Sequence, residues 1–442
     1  MKSIIAAFRQ RRLEIDFIEM LLVQNRSGNG AVSYSGKGFI RQTDKDSLIF
    51  KIYVDKAHNT DFVIDFNSII KLKSGEIYDE ESFYTLTGVA SDGSKWCAER
   101  ILPNCTWLAE YQNPVVHGDL HSCMCGDWST DQKVLVLHFF DEVDLLGLTD
   151  DVRFIADCRE FHIHKDEGGF FICVKSDTSL PAHFEVRIEE ALRFLLARSV
   201  APRVFVQGDR LKLMAAASRS RRTALEPPIA RNSHVVISQS WDLFRQYLSY
   251  VINETKSQYW NPVTGHIHNA IEASANSLDA WAIGIGVAVE GLAMMLSMER
   301  DEQENENIKT LQRFIIDQVN GHEEHRVFAA RIRGLIGSLT SIRAIDRMNK
   351  LAEKGGADRV HVAAWKKLRN RGVHPTAESQ EVGSLDYQRF IDDLHRLNVL
   401  LYHIVFHIIG YRGPYTDYGT RNFPIKDYPL MGVSNSVKSE QP

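Results

Sequence analysis

The hydrophobic pattern changes period partway along this chain, and that change limits the fold more than any other feature. From residue 13 to about 215, apolar, β-branched and aromatic residues recur mainly at every second position, the repeat of strands with one buried face. In Leu48-Ile49-Phe50-Lys51-Ile52-Tyr53-Val54, for instance, Leu48, Phe50, Ile52 and Val54 share a face. The run Val134–Phe140 is almost continuously apolar and is expected to be a strand buried on both sides. Turn signals separate such runs, among them Ser27-Gly28-Asn29-Gly30, Ser91-Asp92-Gly93-Ser94 and Asp166-Glu167-Gly168-Gly169. A helix is expected over Val186–Arg198, from the spacing of Ile188, Leu192, Leu195 and Leu196, with a strand over Arg203–Gln207 and a turn at Gly208-Asp209 after it.

Beyond residue 234 the period becomes 3.6. Helices are expected over Trp241–Glu254, Ile267–Met298 with a break, Ile308–Val319, Glu323–Leu339, Ile342–Lys354, Val360–Arg371 and Tyr387–Ile409. Between the two regimes lie Ser218-Arg219-Ser220-Arg221-Arg222 and Glu226-Pro227-Pro228, a basic and proline-rich stretch with the character of a boundary. The fold class is therefore α+β. Residues 1–214 form a β-rich sandwich or barrel-like domain, 215–233 a linker, and 234–430 an all-α bundle. In the last segment Tyr415, Tyr418, Phe423 and Tyr428 wrap the helices, and 431–442 is a disordered tail.

Charge and composition narrow the function. A net charge of −5 argues against a protein that coats nucleic acid non-specifically, so any contact with phosphates has to be local. Such a local patch exists: Arg359, Lys366, Lys367, Arg369 and Arg371 precede His374 with no acid between Arg359 and His374. The apolar stretch before Arg9-Gln10-Arg11-Arg12 is too short for a secretory signal, and a cytoplasmic protein is expected. Trp281–Leu296 and Val399–Ile409 fall short of the ~20 apolar residues of a spanning helix. They contain Glu290, and His403 with His407, respectively, and read as core helices; no membrane association is expected. Gly284-Ile285-Gly286 has no phosphate-loop context and reads as close helix packing.

Six cysteines, all before residue 174, form no dense framework. Cys97, Cys105, His117, His121, Cys123 and Cys125 fall close enough in sequence to be weighed as zinc ligands. Their spacing fits no finger or ribbon, and reduced, partly buried thiols are the competing reading. His322, His325, His403 and His407 sit at helical spacings that metal sites also use, without an acid or cysteine beside them, and read as core or interface residues.

The chemistry concentrates in Leu368-Arg369-Asn370-Arg371-Gly372-Val373-His374-Pro375. A histidine can move protons near neutral pH, an arginine can brace a phosphoryl group that gains charge, and an asparagine can orient either. Trp365 and Leu368 face the core, Gly372 can end the helix, and Pro375 prevents its continuation. At 100° per residue Asn370 and His374 lie about 40° apart, but Arg369 and His374 about 140° apart. Arg369 and His374 meet only if the helix unwinds at Gly372 or if two chains each supply half of one cleft. Glu290, alone in an apolar run, calls for an arginine partner and is a candidate for a supporting contact to Arg369. Lys366, Lys367 and Arg371 are candidate RNA contacts, with a solvated helix face as the competing reading.

The segment from Trp365 through Pro375, with the long helix after it and Gly410-Tyr411-Arg412-Gly413-Pro414-Tyr415, resembles the HEPN domain of Apea-like bacterial proteins. The likeness covers about residues 235–430, and the first half only by architecture. It implies a metal-independent endoribonuclease toxin of an abortive-infection antiviral defence, possessing no cofactor and working as a homodimer with two motifs facing each other. Arg369, Asn370 and His374 would be catalytic, the RNA (tRNA among the candidates) would be cut by its own 2′-hydroxyl to leave a cyclic phosphate, and a phage-derived trigger would release the activity. The acid-x3-Lys found before the arginine in some relatives is not matched. A non-catalytic HEPN module that binds nucleotide or a protein partner and mediates dimerisation is the alternative. The β-rich half is then left to sensing, inhibition or substrate selection.

Overall fold

The computed structural model describes the chain except residues 27–29, 60–78, 108–112, 127–131, 141–150, 167, 217–223, 231–236, 300–301, 322–330, 333, 336–340, 374–383 and 431–442. It divides into two compact units, one drawn from 1–144, 148–185 and 200–219, the other chiefly from 186–199 and 220–442.

After a short helix α1 (Lys2–Arg9), the first unit is a single antiparallel sheet of fourteen strands among the described residues. The strands are β1 (Glu14–Gln24), β2 (Ser33–Gln42), β3 (Leu48–His58), β4 (Tyr84–Ala90), β5 (Lys95–Ile101), β6 (Asn104–Thr106), β7 (Val115–Leu120), β8 (Ser122–Cys125), β9 (Val134–Phe139), β10 (Asp151–Ala156), β11 (Arg159–Asp166), β12 (Gly169–Lys175), β13 (Val204–Gln207) and β14 (Arg210–Met214). Their order across the sheet is β10-β11-β12-β9-β13-β14-β8-β5-β4-β1-β2-β3-β7-β6. Period-two patterning explains the core: Leu48, Phe50, Ile52 and Val54 are buried on one side of β3 and pack with Phe8, Phe17, Met20, Leu22, Trp96 and Val116. β9 corrects one expectation. Leu135, Leu137 and Phe139 are buried, while Val134 is exposed and Val136 and His138 are half-buried, so this strand has one buried face despite its continuous apolar sequence.

The turn chemistry explains the connections. At the β4–β5 turn the Asp92 carboxylate accepts from the backbone and hydroxyl of Ser94, while Gly93 takes a positive φ that suits glycine. Of the other turn signals, Ser27–Asn29 and Glu167 lie outside the described residues.

The second unit contains α2 (Phe184–Leu196), α3 (Ile237–Glu254), α4 (Pro262–Ser274), α5 (Leu278–Met295), α6 (Glu302–Gly321), α7 (Ala344–Glu353), α8 (Arg359–Val373) and α9 (Ser384–Ile409). It is not purely helical, because a hairpin of β15 (Gly413–Thr416) and β16 (Ile425–Tyr428) follows α9. Apart from its first two residues, α2 belongs to this unit: Phe194 stacks on Tyr247 at 4.4 Å and meets Tyr402 and Phe406 edge-on. The chain thus leaves the sheet, contributes one helix to the bundle and returns for β13 and β14.

The break expected within 267–298 falls between α4 and α5. Asn261 caps α4 with Pro262 at its first position, and Ser277 caps α5 by accepting from Ala280. Leu394, Leu397, Leu401 and Ile404 are buried on α9, as their spacing requires, but every residue over 397–406 is buried, so this part of the helix is enclosed on all sides. The expected helix at Glu323–Leu339 lies largely outside the described residues, as do His322, His325, the Arg219–Arg222 cluster and the tail.

Composition marks residues 215–233 as a linker, yet part of that stretch is docked in the second unit. Leu225, Pro227, Pro228 and Ile229 are buried, and the Glu226 carbonyl accepts from Asn398 Nδ2 and the Tyr402 hydroxyl. Tyr418 donates to the Pro227 carbonyl and Thr416 N–H to that of Pro228. Tyr411, Tyr415, Tyr418 and Tyr428 are buried, but Phe423 is 46% exposed, contrary to the expectation for it. Among the described residues one helix, α5, is long and apolar enough to cross a membrane, and Trp281, Ile285, Val289 and Leu292 on it are buried.

Candidate functional site

Two helices build the site through matching four-residue steps. α5 presents Gly286 and Glu290, α8 presents Trp365 and Arg369, and residues four apart on a helix stand on one face. Trp365 Nε1 donates to the Gly286 carbonyl at 3.0 Å. One turn further, Arg369 Nε and Nη2 donate to Glu290 Oε2 and Oε1 at 2.9 and 3.3 Å. The guanidinium carbon sits 5.8 Å from the Trp365 ring centre. Trp365 and Leu368 are buried as expected, and Arg369 remains 40% exposed. Hydrogen bonding and the charge of Glu290 raise the Arg369 pKa further, so its cation persists at every working pH.

α5 can hold this position because it packs closely on α4. A Cβ on Gly284 would lie 2.2 Å from Ala273 Cβ, and one on Gly291 2.1 Å from the His266 ring. The Gly284-Ile285-Gly286 run serves helix contact and a carbonyl bond, not a phosphate loop.

The remaining residues fall into three groups. Lys366 and Asn370 are exposed on the outer side of α8. Lys367 Nζ instead binds the buried Asp393 at 2.7 Å, beside Arg396 at 2.8 Å, so part of its role is to neutralise that carboxylate. His374 and the Arg371 side chain lie outside the described residues. The backbone of α8 runs through Gly372 to Val373, so the helix does not end before the glycine.

The zinc candidates do not gather. Cys97 stands opposite Met124 in the β5–β8 pairing, whereas Cys123 and Cys125 alternate with Met124 and point to the other face. Cys123 is fully buried and burial pushes its thiol, like that of Cys125, upward, which opposes the thiolate a metal needs. Cys105 Sγ donates to the Tyr34 hydroxyl, His117 Nε2 contacts Thr106 Oγ1 at 3.2 Å, and His121 joins none of them. His403 is a core residue, 0% exposed, and His407 is exposed.

Among the described residues the one group of three metal-capable side chains is Asp151, His162 and His164. Nothing in the spacing rules applied to cysteine finds it. Its signal is His-x-His inside a period-two run, which puts both imidazoles on one face of a strand.

Comparison with protein-family models, with curated proteins and with solved structures returns no match.

Proposed function

We propose that the chain is a metal-independent endoribonuclease whose helical unit supplies the active residues. The observation that carries this reading is Arg369: a cation at the last turns of α8, locked by Glu290 on one edge of its fork and 40% exposed. A guanidinium has five N–H donors, and two of them reach Glu290, leaving capacity for a phosphate. Asn370 and Lys366 are exposed beside it.

The particular version proposed is the Apea-like HEPN type that the motif resembles, acting in the cytoplasm in abortive-infection antiviral defence. In it His374 would take a proton from the ribose 2′-hydroxyl or deliver one to the departing 5′-oxygen, and Arg369 would stabilise charge at phosphorus. DNA lacks the attacking hydroxyl and would be spared. The first unit would sense the trigger or select the RNA.

Two observations support a cleft shared by two copies. The helix is continuous past Gly372, which removes unwinding there as the way to join Arg369 and His374 within one chain. Beside Arg369, the outer face of α5 exposes Ile283, Val287 and Met294, which with Glu290 fall within about 60° around the helix. An apolar stripe next to a charged site is a surface that a second copy can cover.

The alternative is an assembling module without catalysis. It is favoured by the same Glu290 and Asp393, which would satisfy Arg369 and Lys367 in a purely structural bundle. The deciding experiment incubates wild type, Arg369→Ala and His374→Ala with tRNA and total RNA in EDTA and maps the product ends. Cyclic-phosphate ends made by wild type and lost in both variants are expected. Intact RNA with wild type, even when infected-cell extract is added, selects the assembling module.

A further inference from the structure

The geometry points to a divalent transition-metal site on the sheet of the first unit, formed by Asp151, His162 and His164. It is separate from the residues proposed to act on RNA. β11 places His162 and His164 two residues apart, so both imidazoles leave the same face, while Ile163 between them and Phe161 before them are buried on the other. β10 pairs antiparallel with β11 in a register that sets Asp151 directly opposite His164 and one step diagonal to His162. Opposed residues in such a pair bring their side chains within reach of each other, and diagonal ones come within reach of long side chains.

The donor atoms follow from that register. His162 Nε2 hydrogen-bonds Asp151 Oδ1, and His164 Nδ1 lies 3.8 Å from the same oxygen. One ligand atom from each of the three residues lies within 4.8 Å of the others. Arg153 approaches the second carboxylate oxygen, Oδ2, at 3.5 Å, so the imidazoles meet Oδ1. In a tetrahedral zinc site the ligand atoms stand roughly 3.4 Å apart, from metal–nitrogen and metal–oxygen distances near 2.1 Å. Reaching that size takes shifts of about 1 Å, the His162–Asp151 pair opening and the wider pairs closing, within the reach of side-chain rotation for three groups that are a third or more exposed.

Neighbouring residues support the two imidazoles. Phe171, opposite His164 on β12, has its ring centre 5.2 Å from His164 and 6.2 Å from His162 and packs against both. Two neutral imidazoles and one carboxylate suit a borderline ion such as Zn²⁺, and they disfavour Mg²⁺ and Ca²⁺, which take oxygen ligands. Three protein ligands leave a fourth position for water. Among the described residues β10 is the outermost strand at this end of the sheet, and a metal there would staple it to β11.

The competing reading is a simple His–Asp ion pair, and metal titration of the full chain separates the two. Chelator-treated protein is titrated with Zn²⁺ against a competing chelator, with Co²⁺ as a coloured stand-in and Mg²⁺ as a control. The site requires one tightly bound Zn²⁺ per chain, a visible Co²⁺ absorption band and no response to Mg²⁺. His162→Ala and His164→Ala are each expected to weaken Zn²⁺ by at least about tenfold, and His58→Ala, at an exposed position at the end of β3, to leave it unchanged. Zn²⁺ should also raise the melting temperature of wild type and not of His162→Ala, which guards against a variant that merely folds poorly. Zinc affinity equal in wild type, His162→Ala and His164→Ala, or no binding by wild type, overturns the site.

Discussion

In the proposed reaction Arg369 carries most of the weight, and its partner decides how it can be used. Glu290 lies 79 positions earlier in the chain and holds the guanidinium by two hydrogen bonds. As a positioning residue it should matter more to rate than to stability. Glu290→Gln is expected to lower cleavage about ten- to a hundredfold, while denaturation shifts by less than about 1 kcal/mol, because exposed ion pairs contribute little. Kinetics and urea titration on the same variant check both halves. His403 gives a second test. Burial, with His361 and Lys426 nearby, depresses its pKa from 6.5 to about 3, against the opposing pull of Asp417. Above pH 6.5 the group is neutral in both states and contributes no pH dependence. Below that the unfolded chain takes up a proton that the fold refuses, and stability falls by about 1.4 kcal/mol per pH unit until the folded pKa is reached. Urea midpoints measured from neutral pH to about pH 4 should decline accordingly, and a flat series contradicts the buried neutral imidazole. The types and clustering of Lys366, Lys367, Arg369 and Asn370 are legible in the sequence. Of their partners, Glu290 is a candidate from the sequence as a lone acid in an apolar run, whereas Asp393 is not, since it reaches Lys367 only through helix packing.

At the scale of elements, α5 joins the site to the bundle. Gly284→Ala would drive a Cβ against Ala273, whose own Cβ cannot rotate away. A loss of about 1–3 kcal/mol is expected from such overpacking, read by thermal or urea unfolding, and an unchanged midpoint would show that α4 and α5 have slack. The outer stripe makes the opposite kind of prediction. Ile283→Asp and Val287→Asp alter exposed positions, so folding should survive while light scattering shifts from dimer to monomer; a monomeric wild type removes the stripe's proposed role. Periodicity found the inward face of α8 because burial there follows period 3.6, and it found α9 as a helix although 397–406 is buried on every side. It misjudged β9, where apolar residues occupy a half-buried face that composition cannot tell from a fully buried one. It also left Phe423 inside, although the hairpin turn carries it outward with the neighbouring Asn422 at positive φ.

At the scale of the whole molecule, the switch of hydrophobic period correctly separates a sheet-forming part from a helical part. It does not reveal that α2 belongs to the helices, or that residues 224–230 are tied down by Asn398, Tyr402 and Tyr418. Both depend on contacts between residues from 53 to about two hundred positions apart, which no local pattern encodes. The central claim is that RNA is cut at a cleft to which two copies contribute, because α8 runs unbroken through Gly372 to Val373 and so does not unwind at the glycine to turn Arg369 toward His374. The most direct test co-expresses Arg369→Ala and His374→Ala chains under different tags, purifies the mixed pair and measures cleavage in EDTA. With each variant inactive alone, the mixed pair should regain about half of wild-type activity, since one of its two symmetry-related sites then has both an intact Arg369 and an intact His374. A mixed pair as inactive as its parents, beside an active wild type, would contradict the shared cleft.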